Sequence, residues 1–238
     1  MNIETKINEI IGNKDNYIFA IANIKGLLGE KYSGFNYAIS IARKLEDEII
    51  DEISNGPTLE YLQNYKNVNA ELLELIVNIS NMLTNENIRN LPIKPTYEDD
   101  EPDENYFKTL RTDFSHKMVA TRAGIGWIGK TDLLVTLKFG PRVRLASILV
   151  DDDFLKPGIP IEKSRCGTCD ICVKSCPAQA ANGTLWNTNT DRNEFYDAFK
   201  CREKCLELSK RNLNETISLC GICVSMCPIG KENKGTIP

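Results

Sequence analysis

Cys166, Cys169, Cys172 and Cys176 stand at C-x2-C-x2-C-x3-C spacing and are followed at once by Pro177. Such a run of soft thiolate donors ending in Cys-Pro holds [4Fe–4S] clusters, so the chemistry it predicts is electron transfer. A second, broken copy lies at Cys220, Cys223 and Cys227 before Pro228, with Cys201 and Cys205 upstream. The nine cysteines therefore read as one metal system holding two cubanes.

The spacing has a geometric logic. Three thiolates two residues apart wrap one cubane only if the chain turns tightly, and the fourth then lies too far round to reach the same cluster. It ligates the other one, and Pro177 stops the chain from continuing as helix across the site. Cluster one is assigned to Cys166, Cys169, Cys172 and Cys227, and cluster two to Cys176, Cys220, Cys223 and one more. An unbroken second motif would place that ligand at position 217, which is Ile217, so it must come from the upstream pair. Cys201 is preferred, because residues 199–201 read as an irregular stretch able to fold back, whereas Cys205 falls in a helix expected from about Arg202.

Two other chemistries use cysteines at such density. Disulfides require an oxidising compartment, and residues 1–10 carry neither the basic nor the apolar part of a secretory signal. Zinc is the closer rival, since paired C-x2-C knuckles bind it too. Against zinc stand the two Cys-Pro endings and a continuous four-cysteine run, which would leave the second motif short of partners.

The elements that must position these thiolates come from a chain of 238 residues, 42% hydrophobic, long enough for a core and a small cluster module. A single boundary is expected, with an α/β domain over 1–160 and the cluster module over 161–238. Apolar stretches are interrupted well short of the roughly 18 residues a spanning helix needs, so a cytoplasmic chain without a membrane partner is expected. A net charge of −4 offers no global attraction to phosphate backbones, and nucleic acid is not an expected partner.

Ile3, Ile7, Ile10 and Ile11 repeat at helical spacing before Gly12, and residues 17–24 and 37–41 read as apolar strands. After Gly56-Pro57 the longest helix follows, with an apolar stripe through Leu62, Val68, Leu72, Ile76, Ile79 and Leu83. Residues 96–104 hold six carboxylates in nine positions, a solvated loop by composition. A helix over 114–123 leads to a glycine-rich segment, and residues 133–138 and 142–150 read as strands joined across Gly140-Pro141.

That segment, 123–130, reads Ala-Gly-Ile-Gly-Trp-Ile-Gly-Lys. Glycine carries no Cβ, so Gly124, Gly126 and Gly129 allow something to come close to the backbone. The segment follows a helix rather than a strand, unlike a dinucleotide fingerprint, and Gly129-Lys130-Thr131 lacks the earlier glycine of a phosphate-binding loop. Read alone, it is a tight turn, in which Trp127 plugs a core or covers a flat ring and Lys130 is a surface lysine.

The segment, the four-cysteine run some forty residues on and the C-x2-C-x3-C-P ending together resemble epoxyqueuosine reductases and, more distantly, cobalamin-dependent reductive dehalogenases, over about residues 113–230. The resemblance implies an α+β chain: a cobalamin-binding α/β domain related to the nitroreductase fold, then a two-cluster ferredoxin-like module that feeds electrons to cobalt. It also implies that Gly124, Gly126, Trp127, Gly129 and Lys130 line a corrinoid pocket. In those enzymes a catalytic aspartate stands thirteen residues before the motif's alanine, followed by a proline and a glutamate; here those places hold Leu110, Asp113 and His116. Asp113 and His116, the only histidine, become the candidate proton donors. The resembling enzymes grip tRNA through a helical-repeat extension, which has no counterpart before Pro238.

The expected function is an iron–sulfur oxidoreductase that passes single electrons through two [4Fe–4S] clusters to a corrinoid or bound substrate, supplied by a ferredoxin or flavodoxin. The alternatives are a noncatalytic electron carrier docking a partner protein and a shortened tRNA epoxyqueuosine reductase.

Overall fold

A computed structural model of the chain describes residues 2–12, 14–96, 104–152 and 156–231. In chain order its elements are α1 (Ile3–Ile11), β1 (Tyr17–Asn23), β2 (Tyr37–Lys44), α2 (Asp47–Asp51), α3 (Leu59–Asn85), β3 (Asn90–Ile93), α4 (Glu104–Thr109), α5 (His116–Arg122), β4 (Gly126–Ile128), β5 (Leu134–Thr136), β6 (Val143–Val150), α6 (Ile171–Lys174), α7 (Arg192–Phe195), α8 (Ala198–Leu213) and α9 (Ile222–Met226). Most of the acidic run, 97–103, lies outside the described residues. No helix of the described residues is long and apolar enough to cross a membrane.

The chain forms two compact units that interleave in sequence. One comprises Met1–Lys44, Lys66–Ile125 and Arg144–Glu162; the other comprises Leu45–Tyr65, Gly126–Val143 and Lys163–Pro238. The expected boundary near 160 is close to the last crossing, but two earlier segments, 45–65 and 126–143, group with the cysteines.

The first unit is built on a four-stranded sheet in the order β1-β2-β6-β3. β1 and β2 are antiparallel from Tyr17 opposite Arg43 to Asn23 opposite Tyr37, and β3 runs antiparallel to β6 from Asn90 opposite Val150. Ala38, Ile39, Ser40, Ile41 and Ala42 are all buried, as expected of a strand covered on both faces. α5 packs on β1 and β2. Beyond Lys66, the α3 stripe buries Val68, Leu72, Ile76, Ile79 and Leu83, the positions its three- and four-residue repeat marks out.

In the second unit β4 and β5 form an antiparallel hairpin, with Trp127 opposite Val135. The strand expected over 133–138 thus pairs back onto the glycine-rich segment, while β6, beyond Gly140-Pro141, joins the other unit's sheet. Gly140 has φ of 56°, and a Cβ there would lie 1.8 Å from the Ile229 carbonyl oxygen, so the turn after β5 can rest on the chain just past Cys227-Pro228 only as glycine. Arg142 is only 1% exposed and reaches Asp47 Oδ1 at 2.8 Å and Asp51 Oδ1 at 2.5 Å. Its carbonyl accepts from Leu45 N at 2.8 Å. These bonds fasten 45–55 to the end of the hairpin, and the turn over 52–55 in turn packs on α9.

Candidate metal centre

Cys166, Cys169 and Cys176 of the first run flank tight turns, and Cys172 lies in α6 between them. Cys169 N donates to the Cys166 carbonyl at 3.2 Å across Gly167, and after the short α6 Cys176 N donates to Val173 O at 3.2 Å. Cys169 is exposed, and Cys166, Cys172 and Cys176 are half-buried. The Cys227 thiol is pushed up to about 11, first by burial and then by the neighbouring Cys172, Cys166 and Cys169, against a backbone hydrogen bond from Ile229. Cys172 is raised by burial and by Cys166 and Cys169. These four thiols, from two distant stretches, feel one another's charge and share one neighbourhood.

The second set gathers on α8 and α9. Helix α8 starts at Ala198, capped by Asp197, whose carboxylate accepts from Phe199 N at 3.1 Å and Lys200 N at 3.0 Å. Cys201 therefore lies inside the helix rather than in an irregular lead-in, because the Asp197 cap starts the helix four residues before the Arg202 start read from sequence. Cys201 and Cys205 fall one turn apart with their sulfurs 3.9 Å apart. Cys205 is buried, hydrogen-bonded to both Cys201 and Cys220, and its thiol is raised by those two contacts and then by burial. Cys201 and Cys220 are both lowered, each chiefly by its bond with Cys205. Cys205 thus lies between Cys201 and Cys220 and bonds to both. Cys223 is raised by burial, then by Cys220 and Cys201. Ser209 Oγ donates to Leu219 O at 2.7 Å, tying α8 to the chain entering Cys220.

The donor set fits two iron–sulfur cubanes: all-thiolate, crossed between motifs, and supplied with polar hydrogens. Among the described residues, no three His, Cys, Asp or Glu side chains gather at the range of a single metal ion. Side-chain donors reach the thiols from elements that the cysteine spacing alone does not reveal. Trp127 Nε1 donates to Cys166 Sγ at 3.4 Å. The Thr131 hydroxyl lies beside Cys172 and Cys223 and the Tyr196 hydroxyl beside Cys201, and each acts to lower the thiols it faces. Thr131 could have been suspected from its place beside Lys130; Tyr196 carries no sequence signal we can identify.

The glycine-rich segment is accounted for by the protein's own packing. A Cβ on Gly124 would lie 2.5 Å from Ile159 O, one on Gly126 2.3 Å from Val135 O, and one on Gly129 2.9 Å from Val135 Cγ2 and 3.7 Å from Cys166 Sγ. The closeness these glycines permit is to neighbouring chain, not to a flat ring. Trp127 is 1% exposed and plugs the core, with the Arg165 guanidinium 5.9 Å over its ring. Lys130 is 6% exposed, not the surface lysine expected, and its charge contributes to lowering Asp170, below the larger effect of Lys174. Gly126, Trp127, Gly129 and Lys130 are buried and leave a corrinoid no open face to lie against.

Asp113 and His116 lie in the first unit. Asp113 is exposed and pairs with Lys31 at 3.3 Å. His116 Nε2 donates to the Lys94 carbonyl at 2.9 Å, which leaves Nδ1 to accept from the Ser147 hydroxyl at 2.9 Å. Its ring meets Phe114 edge-on at 5.1 Å between centroids. Burial, aided by the Arg144 charge and opposed by the Lys94 bond, holds it down at about 4. The imidazole is a neutral, internally satisfied packing group, with neither nitrogen free to pass a proton.

Comparison with known proteins agrees with this centre. Residues 165–230 match the family described as 4Fe-4S double cluster binding domain. The epoxyqueuosine reductase of Leadbetterella byssophila is 30% identical over 112 residues, covering 47% of this chain and 36% of that protein. A catabolic reductive dehalogenase solved with 3-bromo-4-hydroxybenzoic acid superposes with a TM-score of 0.67 at 16% identity, over 95% of this chain and 31% of its own. An epoxyqueuosine reductase solved with an epoxyqueuosine-modified tRNA-Tyr stem loop gives 0.58 at 17%, over 96% of this chain and 66% of its own. The chain resembles epoxyqueuosine reductases in sequence and shares a mixed α/β fold with both groups, although its sequence match spans about a third of that curated relative's length. The likeness of fold covers nearly the whole chain, including the part before residue 113 where the sequence resemblance fades.

Proposed function

We propose that this chain is an iron–sulfur oxidoreductase of the epoxyqueuosine reductase type, taking single electrons from a ferredoxin or flavodoxin and delivering them to a bound substrate. When bound, each cubane accepts and releases one electron. Cys166, Cys169, Cys172 and Cys227 hold the first, and Cys176, Cys220, Cys223 and Cys201 the second, with Cys205 left as a thiol. The observation that carries the reading is Cys227, which shares the neighbourhood of Cys166, Cys169 and Cys172 although it stands 55 to 61 positions after them. That crossing is what two-cluster modules require. The matches to epoxyqueuosine reductases and to the double-cluster family support it further.

The test is anaerobic reconstitution of the full chain followed by iron, sulfide, zinc and cobalt analysis. About eight irons and eight sulfides per chain are expected from two cubanes. Zinc in their place, or about four irons, would overturn the reading.

A noncatalytic electron carrier is the second reading, favoured by the placement of Asp113 at the surface and by the engaged nitrogens of His116. The two readings differ in what reoxidises the reduced clusters. A modified tRNA stem loop, the ligand of one structural neighbour, should do so for a reductase, whereas a carrier should respond only to a protein acceptor. The net charge of −4 opposed a nucleic-acid partner; the stem-loop complex of that neighbour makes tRNA a substrate to be tried, with binding that weakens steeply in salt.

A further inference from the structure

We infer that the buried run 127–131 is a hydrogen-bonding wedge shared by the two clusters, which sets their reduction potentials through Trp127 and Thr131. The inference rests on the two-cluster reading above. Three observations converge on it. Trp127 is 1% exposed, and its single N–H, which can only donate, is directed at Cys166 Sγ at 3.4 Å. Thr131 is 7% exposed, and its hydroxyl lies beside Cys172, a ligand of the first cluster, and Cys223, a ligand of the second, opposing the burial that raises both thiols. Gly129, between them, has no Cβ; one there would press on Val135 Cγ2 at 2.9 Å and meet Cys166 Sγ at 3.7 Å, which places the run's backbone against the first set of thiols.

A cluster gains negative charge when it takes up its electron, so a donor aimed at its sulfurs stabilises the reduced form more than the oxidised one. Hydrogen bonds to the sulfurs are among the factors that fix cluster potentials. Trp127 acts on the first cluster alone. Thr131, with one proton and two sulfur neighbours, acts on both and makes their potentials depend on one hydroxyl. Both are positioning residues that touch the ligands rather than any substrate.

The test uses the reconstituted full chain and a potentiometric titration followed by electron paramagnetic resonance. Trp127→Phe should make the first cluster about tenfold harder to reduce, a fall of about 59 mV for one electron, and leave the second unchanged. Thr131→Val, nearly the same shape, should lower both potentials, and Thr131→Ser, which restores the hydroxyl, should return them to the starting values. Unchanged potentials in Trp127→Phe and Thr131→Val, with about eight irons still bound, would overturn the inference. Should Trp127→Phe lose a cluster, the Val and Ser variants at 131 decide the matter alone. A starting protein that never binds about eight irons instead defeats the cluster assignment beneath it.

Discussion

Cys201 and Cys205 show how far one side chain's neighbours decide its role. Both sulfurs face the same side of α8, 3.9 Å apart, and only one is needed to complete the second cluster. Cys205 is the more buried of the two and already bonds to both Cys201 and Cys220, which leaves Cys201 as the proposed ligand. Cys205→Ser should therefore retain about eight irons and Cys201→Ser about four; iron analysis giving the reverse would assign the ligand to Cys205. His116 permits a prediction in pH. Its folded-state value of about 4 lies below the ordinary 6.5, so between those limits the unfolded chain binds a proton that the folded chain refuses. Stability is unaffected by this group above pH 6.5 and falls as the pH drops from there to 4, by about 3 kcal/mol in all. Urea midpoints at pH 7 and 4.5 should show that share of the acid loss disappear in His116→Gln, and an unchanged pH dependence would refute it.

Among the elements, α2 and the β4–β5 hairpin depend on Arg142. Its buried guanidinium is answered by Asp47 and Asp51, of which Asp51 is half exposed and gains less from the pairing. Arg142→Met keeps the apolar stem, removes the buried charge that answers Asp47 and Asp51 and should cost about 3 kcal/mol, at the low end for breaking a buried pair. Denaturant unfolding of the clustered protein would measure it, and a loss below about 1 kcal/mol would show that the pair is merely superficial. The same interactions explain what could and could not be read from the chain. The helix Ile3–Ile11 and the long α3 were legible because their apolar repeats are local, and the ladder of β1 and β2 follows from two plain apolar runs. The gathering of the cysteines was legible because their spacing is itself the geometry. The membership of 45–65 and 126–143 was not, since it is written in one arginine and in backbone contacts at Gly126 and Gly140 whose partners are remote in sequence. The start of α8 was missed although Asp197, its cap, was in plain view.

At the scale of the molecule, the interleaving has a consequence for any attempt to isolate the redox module. A fragment 161–238 keeps every cysteine, and by spacing alone it should be a self-sufficient ferredoxin. It loses Trp127, which donates to Cys166, Thr131, which lies beside Cys172 and Cys223, and Gly140, against which the chain after Cys227 rests. It also loses Ile53 and Tyr61, which are buried in the same unit, the first within the 52–55 turn that packs on α9. Burying even one such apolar side chain is worth about 1.5–3 kcal/mol, and a fragment of this size has little stability to give up. The fragment, reconstituted anaerobically beside the full chain and passed through a desalting column, should keep well under half of the iron that the full chain keeps. A fragment that holds about eight irons with the full chain's potentials would mean that 45–65 and 126–143 merely lie against the centre and contribute nothing to it.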